Sequence, residues 1–331
     1  MRAVVLKSFG DPSNAVVEEV PDPVHGPGDI LIEVKAVAVN FVDLLVIAGK
    51  YQFLPNLPFV PGKAVTGIVS QMGITVDKFK IGDRVLAMSE QGGFAQMLSI
   101  DQRQAYKLPD ALSFIDASSI SLVYDTAWFA LLERGRLKPG ETAVILGASG
   151  GVGYACVQLA KAKGAKVLAG LTGFEKSDLF SADDVDGVID LSVNNLHDGL
   201  RDQVYAATNY KGADVIVDPL GDKIFCAALR ALAWCGRLVI VGFAAGNIPS
   251  IKANYLLLKN IEVSGLQVSD YRKKRLDIMD ECFAEIFHLY DEGKIKAAPT
   301  KTFPLEGFAQ ALDSISSRSV KGRAILVMNN D

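Results

Sequence analysis

The chain has 331 residues, more than one ordinary core needs and enough for two domains. Half of the residues are hydrophobic and 22% are charged, which is the balance of a folded globular protein and not of a disordered or fibrous one. With 34 basic against 38 acidic residues the formal net charge is -4, so composition argues against a surface built for nucleic acid or an anionic membrane.

The first apolar run, Ala3-Val4-Val5-Leu6, ends at Lys7 and is too short for a signal-peptide core. No stretch is long and uninterrupted enough to span a bilayer. The richest, 231–245, carries Arg237 in its middle. A cytoplasmic protein is expected. Residues 30–39 alternate as a half-buried strand, with Ile30, Ile32, Val34, Ala36 and Ala38 on one face and Glu33 and Lys35 on the other. Short apolar runs at 65–69, 84–88 and 94–100 follow, separated by turn-rich segments such as Pro21-Asp22-Pro23 and Gly26-Pro27-Gly28. Many short strands so punctuated predict a twisted, barrel-like antiparallel unit.

From 142 to 266 the pattern changes. Strands are predicted at 143–146, 167–171, 187–191, 214–218, 237–241 and 261–265, with helices between most of them, clearest at 151–163 and 222–234. Strand–helix alternation means a parallel sheet covered on both faces, and six strands match a complete Rossmann domain. Beyond it, 276–290 reads as an amphipathic helix, 304–317 as another helix and 323–328 as a closing strand. The expected fold is α/β: a Rossmann domain at 122–266 inserted in a β-rich domain made of 1–121 and 267–331. The basic run Arg272-Lys273-Lys274-Arg275 is expected to open a helix with a solvated face. Cys156, Cys226, Cys235 and Cys282 are scattered without C-x-x-C spacing and are expected as buried, reduced thiols. His25, His197 and His288 are equally dispersed, so no metal site is expected.

The run Thr142-Ala143-Val144-Ile145-Leu146 leads straight into Gly147-Ala148-Ser149-Gly150-Gly151-Val152-Gly153, and a helix that stops at Gly164 follows. A dinucleotide needs this arrangement. Backbone N–H groups must reach the pyrophosphate at a helix N-terminus, and side chains would keep it away. Gly150 allows the approach and Gly153 lets the helix meet the sheet, although Ala148 stands where the fingerprint has its first glycine. The glycines would be weak evidence alone; strand, turn, helix and strand in order make them strong. At the end of the second strand, where NAD enzymes carry an acid for the ribose 2′-hydroxyl, the chain has Leu171 and Thr172, with Lys176 close behind. A hydroxyl and a cation there suit a 2′-phosphate, so NADPH is the expected cofactor. The alternative for Lys176 is a solvated lysine at a helix start.

Along nearly its whole length the chain resembles the zinc-independent, zeta-crystallin-like quinone oxidoreductase branch of the medium-chain dehydrogenase/reductases. The residues that carry the likeness are Val39-Asn40-Phe41-Val42-Asp43, Gly49-Lys50-Tyr51 and Leu57-Pro58-Phe59-Val60-Pro61-Gly62 on one side. On the other they run from Gly140-Glu141 to Gly153-Tyr154 and continue at Val157-Gln158-Leu159-Ala160-Lys161, Gly236-Arg237-Leu238-Val239, Gly242-Phe243 and Lys321-Gly322-Arg323. The resemblance implies a GroES-like catalytic domain around the Rossmann domain, a homodimer, and hydride transfer from NADPH to a quinone or similar conjugated acceptor. By motif position it implies cofactor contacts at Asp43, Thr126, Ser149, Gly150, Gly151, Val152, Gly153, Thr172, Lys176, Gly242, Phe243 and Lys321. Asn40 would lie near the nicotinamide ribose or substrate, and Tyr51 near the substrate.

Zinc-bearing relatives have a cysteine at the place of Asn40, a histidine at the place of Lys63 and a four-cysteine lobe, none of which stands here. Without a Lewis acid alcohol oxidation is disfavoured, whereas a quinone or enone is already electrophilic and mainly needs alignment. The chain departs from the family pattern at Ala64, where an acid is common, at Ile47, where an arginine is common, and at Leu191, where an aromatic or histidine flanks the adenine. The Tyr51 phenol either donates to the acceptor oxygen or only forms a pocket wall. Asn40 either orients a ligand or closes a turn. The alternative acceptors are alkenals, enones and enoyl thioesters; a non-catalytic dinucleotide- or RNA-binding role is the reading from another class.

Overall fold

The computed structural model describes residues 1–173 and 178–328. They form two compact units, Met1–Leu122 with Tyr271–Phe287 and Ala297–Asp331, and Val123–Asp270 with His288–Lys296. No helix among the described residues is long and apolar enough to cross a membrane.

The first unit opens with β1 (Arg2–Leu6) and β2 (Ala15–Glu19), an antiparallel pair. Then come β3 (Asp29–Val39), α1 (Phe41–Ile47), β4 (Val65–Met72), β5 (Arg84–Ala87), β6 (Met97–Asp101), β7 (Ala105–Lys107) and α2 (Phe114–Ile120). β3 is the spine of the sheet: it pairs antiparallel with β4 and with β6. Its two faces change places part-way. The ladder with β4 shifts register between Val34 and Ala36. Ile30, Ile32 and Val34 share a core cluster with Val37 and Val39, while Ala36 and Ala38 pack with Ile325 elsewhere. The expectation of Ala36 and Ala38 on the Ile30 face is therefore corrected. A bulge inserts one residue, and one residue is half a period of a strand.

The second unit holds α3 (Val123–Trp128), β8 (Thr142–Leu146), α4 (Gly151–Ala162), β9 (Lys166–Leu171), β10 (Gly187–Asp190), α5 (Leu196–Ala207), β11 (Ala213–Asp218), α6 (Asp222–Ala231), β12 (Leu232–Ile240), α7 (Asn254–Lys259) and β13 (Glu262–Gly265). Among the described residues its sheet is parallel throughout, in the order β10-β9-β8-β11-β12-β13. Counted from β8 this is 3-2-1-4-5-6, the doubly wound order whose switch point lies between β8 and β11. The helix predicted over 222–234 stops at Ala231, because Leu232 is already paired with Ala213 in the sheet. Ladder bonding outcompetes a helical pattern that has no glycine to end it.

After α8 (Val268–Lys274) and α9 (Leu276–Asp291), the chain ends with β14 (Thr300–Pro304), α10 (Phe308–Ser316) and β15 (Arg323–Val327). β15 pairs antiparallel with β3, which brings residues nearly 290 apart in sequence side by side. The helix expected from 304 starts only at Phe308, since Pro304 still belongs to a strand. Two further expectations are corrected. The basic run closes α8 as far as Lys274 and Arg275 leads into α9; Lys273, Lys274 and Arg275 are exposed as expected, but Arg272 is buried. Cys156 and Cys282 are buried, but Cys226 and Cys235 are exposed.

Candidate active site

In the second unit β8 delivers the chain to Gly147, which has φ +63. The turn is tied to the neighbouring strand by the Ala148 N–H, which donates to the Gly170 carbonyl at 3.0 Å. Gly150 is the N-cap residue of α4 and its side of the turn is exposed. The first-turn N–H groups of Gly151, Val152 and Gly153 have no acceptor within the helix. Two glycines here answer different needs. A Cβ on Gly153 would lie 2.2 Å from the Gly147 carbonyl oxygen, so the chain's own packing forbids a side chain. Among the described residues a Cβ on Gly150 would meet nothing closer than 3.4 Å. That bare position is not required by packing; it leaves open space above a helix N-terminus, which is what a pyrophosphate needs.

The rim of this turn comes from neighbouring strand ends. Thr172 is exposed just past β9, and Leu171 beneath it is buried. Asp218 ends β11, next to β8. Its Oδ1 accepts from the N–H groups of Leu220 and Gly221 at 2.8 and 2.9 Å, while its buried Oδ2 has no hydrogen-bond partner among the described residues. Burial pushes the Asp218 carboxyl up in pKa, against those two N–H bonds. The turn it holds sets Leu220 against Gly147 and Phe243 against Gly221. Gly242 and Phe243 lie just beyond β12. Thr126 is on α3, its N–H donating to the Asp125 side chain at 2.7 Å.

The first unit gathers a second set around the start of α1. Asn40 follows β3 and precedes α1. Its backbone N–H donates to Asp43 Oδ2 at 2.7 Å, its Nδ2 donates to the Ala38 carbonyl at 3.0 Å, and its Oδ1 accepts from Arg323 Nη2 at 2.7 Å. Asn40, Asp43 and Arg323 are all buried. Burial pushes the Asp43 carboxyl from its ordinary 3.8 up to about 6; the Asn40 N–H and the charges of Lys63 and Arg323 restrain the rise. Lys63 is also buried, with its ammonium 2.5 Å from Glu90 Oε2 and 5.7 Å from the centre of the Tyr51 ring. Tyr51 is half-buried and meets Phe53 edge-on.

Two family descriptions match this chain: "Alcohol dehydrogenase GroES-like domain" over residues 26–110 and "Zinc-binding dehydrogenase" over residues 151–284. The chain is 34% identical to "Quinone oxidoreductase-like protein 2" of Mus musculus across 94% of its own length and 88% of that protein's. It is 32% identical to the "Quinone oxidoreductase" of Rattus norvegicus, across 99% and 98% respectively. The chain belongs to the quinone oxidoreductase branch of the medium-chain dehydrogenase/reductases. A mycobacterial protein solved complexed with NADPH has the same fold, with a TM-score of 0.90 at 26% identity over 99% of each chain.

The reading of the sequence as a GroES-like unit plus a Rossmann unit of this superfamily thus holds. Within the quinone oxidoreductase framework, the predicted residues fall into two coherent groups. Ser149 to Gly153, Thr172, Gly242 and Phe243 surround the switch-point end of the parallel sheet, with Thr126 on α3 of the same unit. Asn40, Asp43 and Tyr51 are joined through Lys63. Lys321 is exposed in the turn before β15, two residues ahead of Arg323. Lys176 lies outside the described residues. Sequence reasoning passed over Arg323, Glu90, Arg272 and Asp218 as site residues. The local signal for Asp218 is a strand-ending aspartate followed by Pro-Leu-Gly, and Arg323 stands in the Lys321-Gly322-Arg323 motif; Glu90 and Arg272 meet Lys63 and each other from distant segments of the first unit.

Proposed function

We propose that this chain is a metal-independent oxidoreductase that passes a hydride from NADPH to a quinone or a similar conjugated carbonyl acceptor. The observation that carries the reading is the turn from β8 to α4, where Gly150 leaves space that the protein's own packing does not need. The dinucleotide would be held by the N–H groups of residues 150–153, with Thr172, Gly242 and Phe243 at the rim. Bound there, it supplies the hydride. NADPH over NADH is favoured by the strand end at Leu171 and Thr172, which offers no carboxylate to the ribose and no repulsion to a 2′-phosphate.

Metal independence is supported by the engagement of two residues at the acceptor side. Asn40 Oδ1 already accepts from Arg323, and the Lys63 ammonium is paired with Glu90. An ammonium has no lone pair for a metal. Steady-state turnover of 1,4-naphthoquinone with NADPH should exceed that with NADH by at least about tenfold in kcat/KM, corresponding to about 1.4 kcal/mol. A chelator should leave it unchanged. Preference for NADH, or loss of turnover on chelation, overturns the assignment.

We further propose a homodimer formed through β13. Among the described residues this strand ends the sheet order, and α7 just before it exposes Leu257 and Leu258 at 78% and 71%. An open strand edge beside exposed leucines invites pairing with a second copy. Sedimentation should give a dimer for the wild type and a monomer for Leu257→Glu with Leu258→Glu. A wild-type monomer at micromolar concentration removes the proposal.

A further inference from the structure

Lys63 is an expensive residue in its position. Its side chain is 6% exposed, it bonds Glu90, and Glu90 Oε1 lies 3.5 Å from Arg272 Nη1, with Arg272 itself 5% exposed. Two of the three charges are buried and Glu90 is half-buried between them, an arrangement that apolar side chains of the same volume would often match in stability. The backbone on both sides of Lys63 is also constrained. Gly62 has φ +94 and Ala64, a residue with a Cβ, has φ +59. A Cβ on Gly62 would run into Phe94 at 2.4 Å, so the approach to Lys63 is fixed from one side by packing. The left-handed backbone of Ala64 adjoins the buried charge of Lys63, and the Lys63 ammonium stands against the Tyr51 ring. Around it lie Glu90 and Asp43 as carboxyl groups, with Arg272 behind Glu90 and Arg323 beside Asp43.

We propose that Lys63 is a specificity-determining residue that makes the acceptor side of the first unit select molecules which carry, or acquire, negative charge on an oxygen beside Tyr51. This rests on the reading of the chain as a reductase of conjugated carbonyls. When a hydride adds to such an acceptor, its electron pair forms the new bond. The displaced π pair moves onto the carbonyl oxygen, which stays anionic until water protonates it. A fixed cation that needs no reorganisation favours that oxyanion over the neutral acceptor. Glu90 holds the ammonium in place and the Arg272 guanidinium stands behind the other Glu90 oxygen; these two are positioning residues.

The test uses the dinucleotide-free protein and 4-nitrophenol, whose phenol and phenolate forms absorb at different wavelengths. It is read about two pH units above the ionisation of Asp43, so that Asp43 stays charged throughout. The wild type should bind the phenolate about tenfold more tightly than the phenol. Lys63→Met should abolish that preference, Lys63→Arg should keep it, and Glu90→Gln should enlarge it by leaving the ammonium without its carboxylate. In Lys63→Met the half-buried Glu90 keeps Arg272, and the buried Asp43 keeps the Asn40 N–H and the charge of Arg323. Should that variant fail to fold, Lys63→Arg and Glu90→Gln carry the same test. Equal binding of both forms, no binding by the wild type, or a preference that survives Lys63→Met overturns the role of Lys63. Quinone turnover by the wild type without the phenolate preference removes only this role. The preference without turnover removes instead the reading of the chain as a quinone reductase.

Discussion

Gly150→Val is expected to fold normally yet bind NADPH about a hundredfold more weakly, corresponding to about 2.7 kcal/mol. The position has φ -79 and ψ 165, an extended conformation that a β-branched residue adopts without strain. A Cβ there would be 3.4 Å from its nearest neighbour, an ordinary contact. Replacing an N-cap glycine costs stability of about 1 kcal/mol or less. The added methyl groups would occupy the space through which a phosphate reaches the N–H groups of α4. Gly153→Ala supplies the contrast. Its Cβ would sit 2.2 Å from the Gly147 oxygen, so helix and turn must separate. Overpacking of that kind costs about 1–3 kcal/mol. The first variant should lose affinity with its melting temperature lowered by no more than about 4 °C, and the second should lose both affinity and stability. Fluorescence titration with NADPH and thermal melts of the two proteins check this. A Gly150→Val protein that binds as the wild type does would remove the turn as the dinucleotide site.

Asp43→Asn is expected to stabilise the protein, and increasingly so as pH rises. The folded-state pKa of about 6 lies above the ordinary 3.8 because burial disfavours the ionised carboxylate. Below the ordinary value Asp43 is protonated in both the folded and the unfolded chain, and its contribution to stability is fully present. Between the two values the unfolded chain releases the proton first, so stability is lost as pH rises through about 6. A shift of about two units corresponds to roughly 3 kcal/mol once both states are ionised. Asparagine keeps an oxygen to accept the Asn40 N–H and never ionises. Urea unfolding at about pH 4 and about pH 8 should show the advantage of Asp43→Asn growing from near zero towards that limit. An advantage independent of pH would mean that the ionisation of Asp43 is not what separates the two proteins.

Why would a chain keep a costly carboxyl at the junction of β3 and α1? Its neighbours give the reason. Asp43 holds the Asn40 N–H at the start of α1, and Asn40 in turn anchors Arg323 from the closing strand. The helix start that carries Asn40 is thereby locked to a strand nearly 290 residues away. Such buried polar networks give definition when every member is satisfied, and they are costly to break when one is removed.

The sequence by itself determined the parts whose signals are local. A buried strand, a glycine turn, a helix and a second strand within some thirty residues specify the β8–α4–β9 unit, because each step is a backbone requirement that residue type reveals directly. The absence of an acid at Leu171 and Thr172 is legible for the same reason: in a doubly wound fold the end of the second strand is where a dinucleotide's ribose would be met, whatever the rest of the chain does. Only the tertiary structure decided the rest. The face reversal along β3 follows from a bulge fixed by its partner β4. The early end of α6 follows from pairing with β11. The burial of Arg272 follows from Glu90, nearly two hundred residues earlier. A charge run reads as solvated until the carboxylate that neutralises it is known, and that carboxylate is supplied by long-range packing. Local conformational preference is written residue by residue, whereas the partners of buried charges depend on which distant strands come to lie side by side.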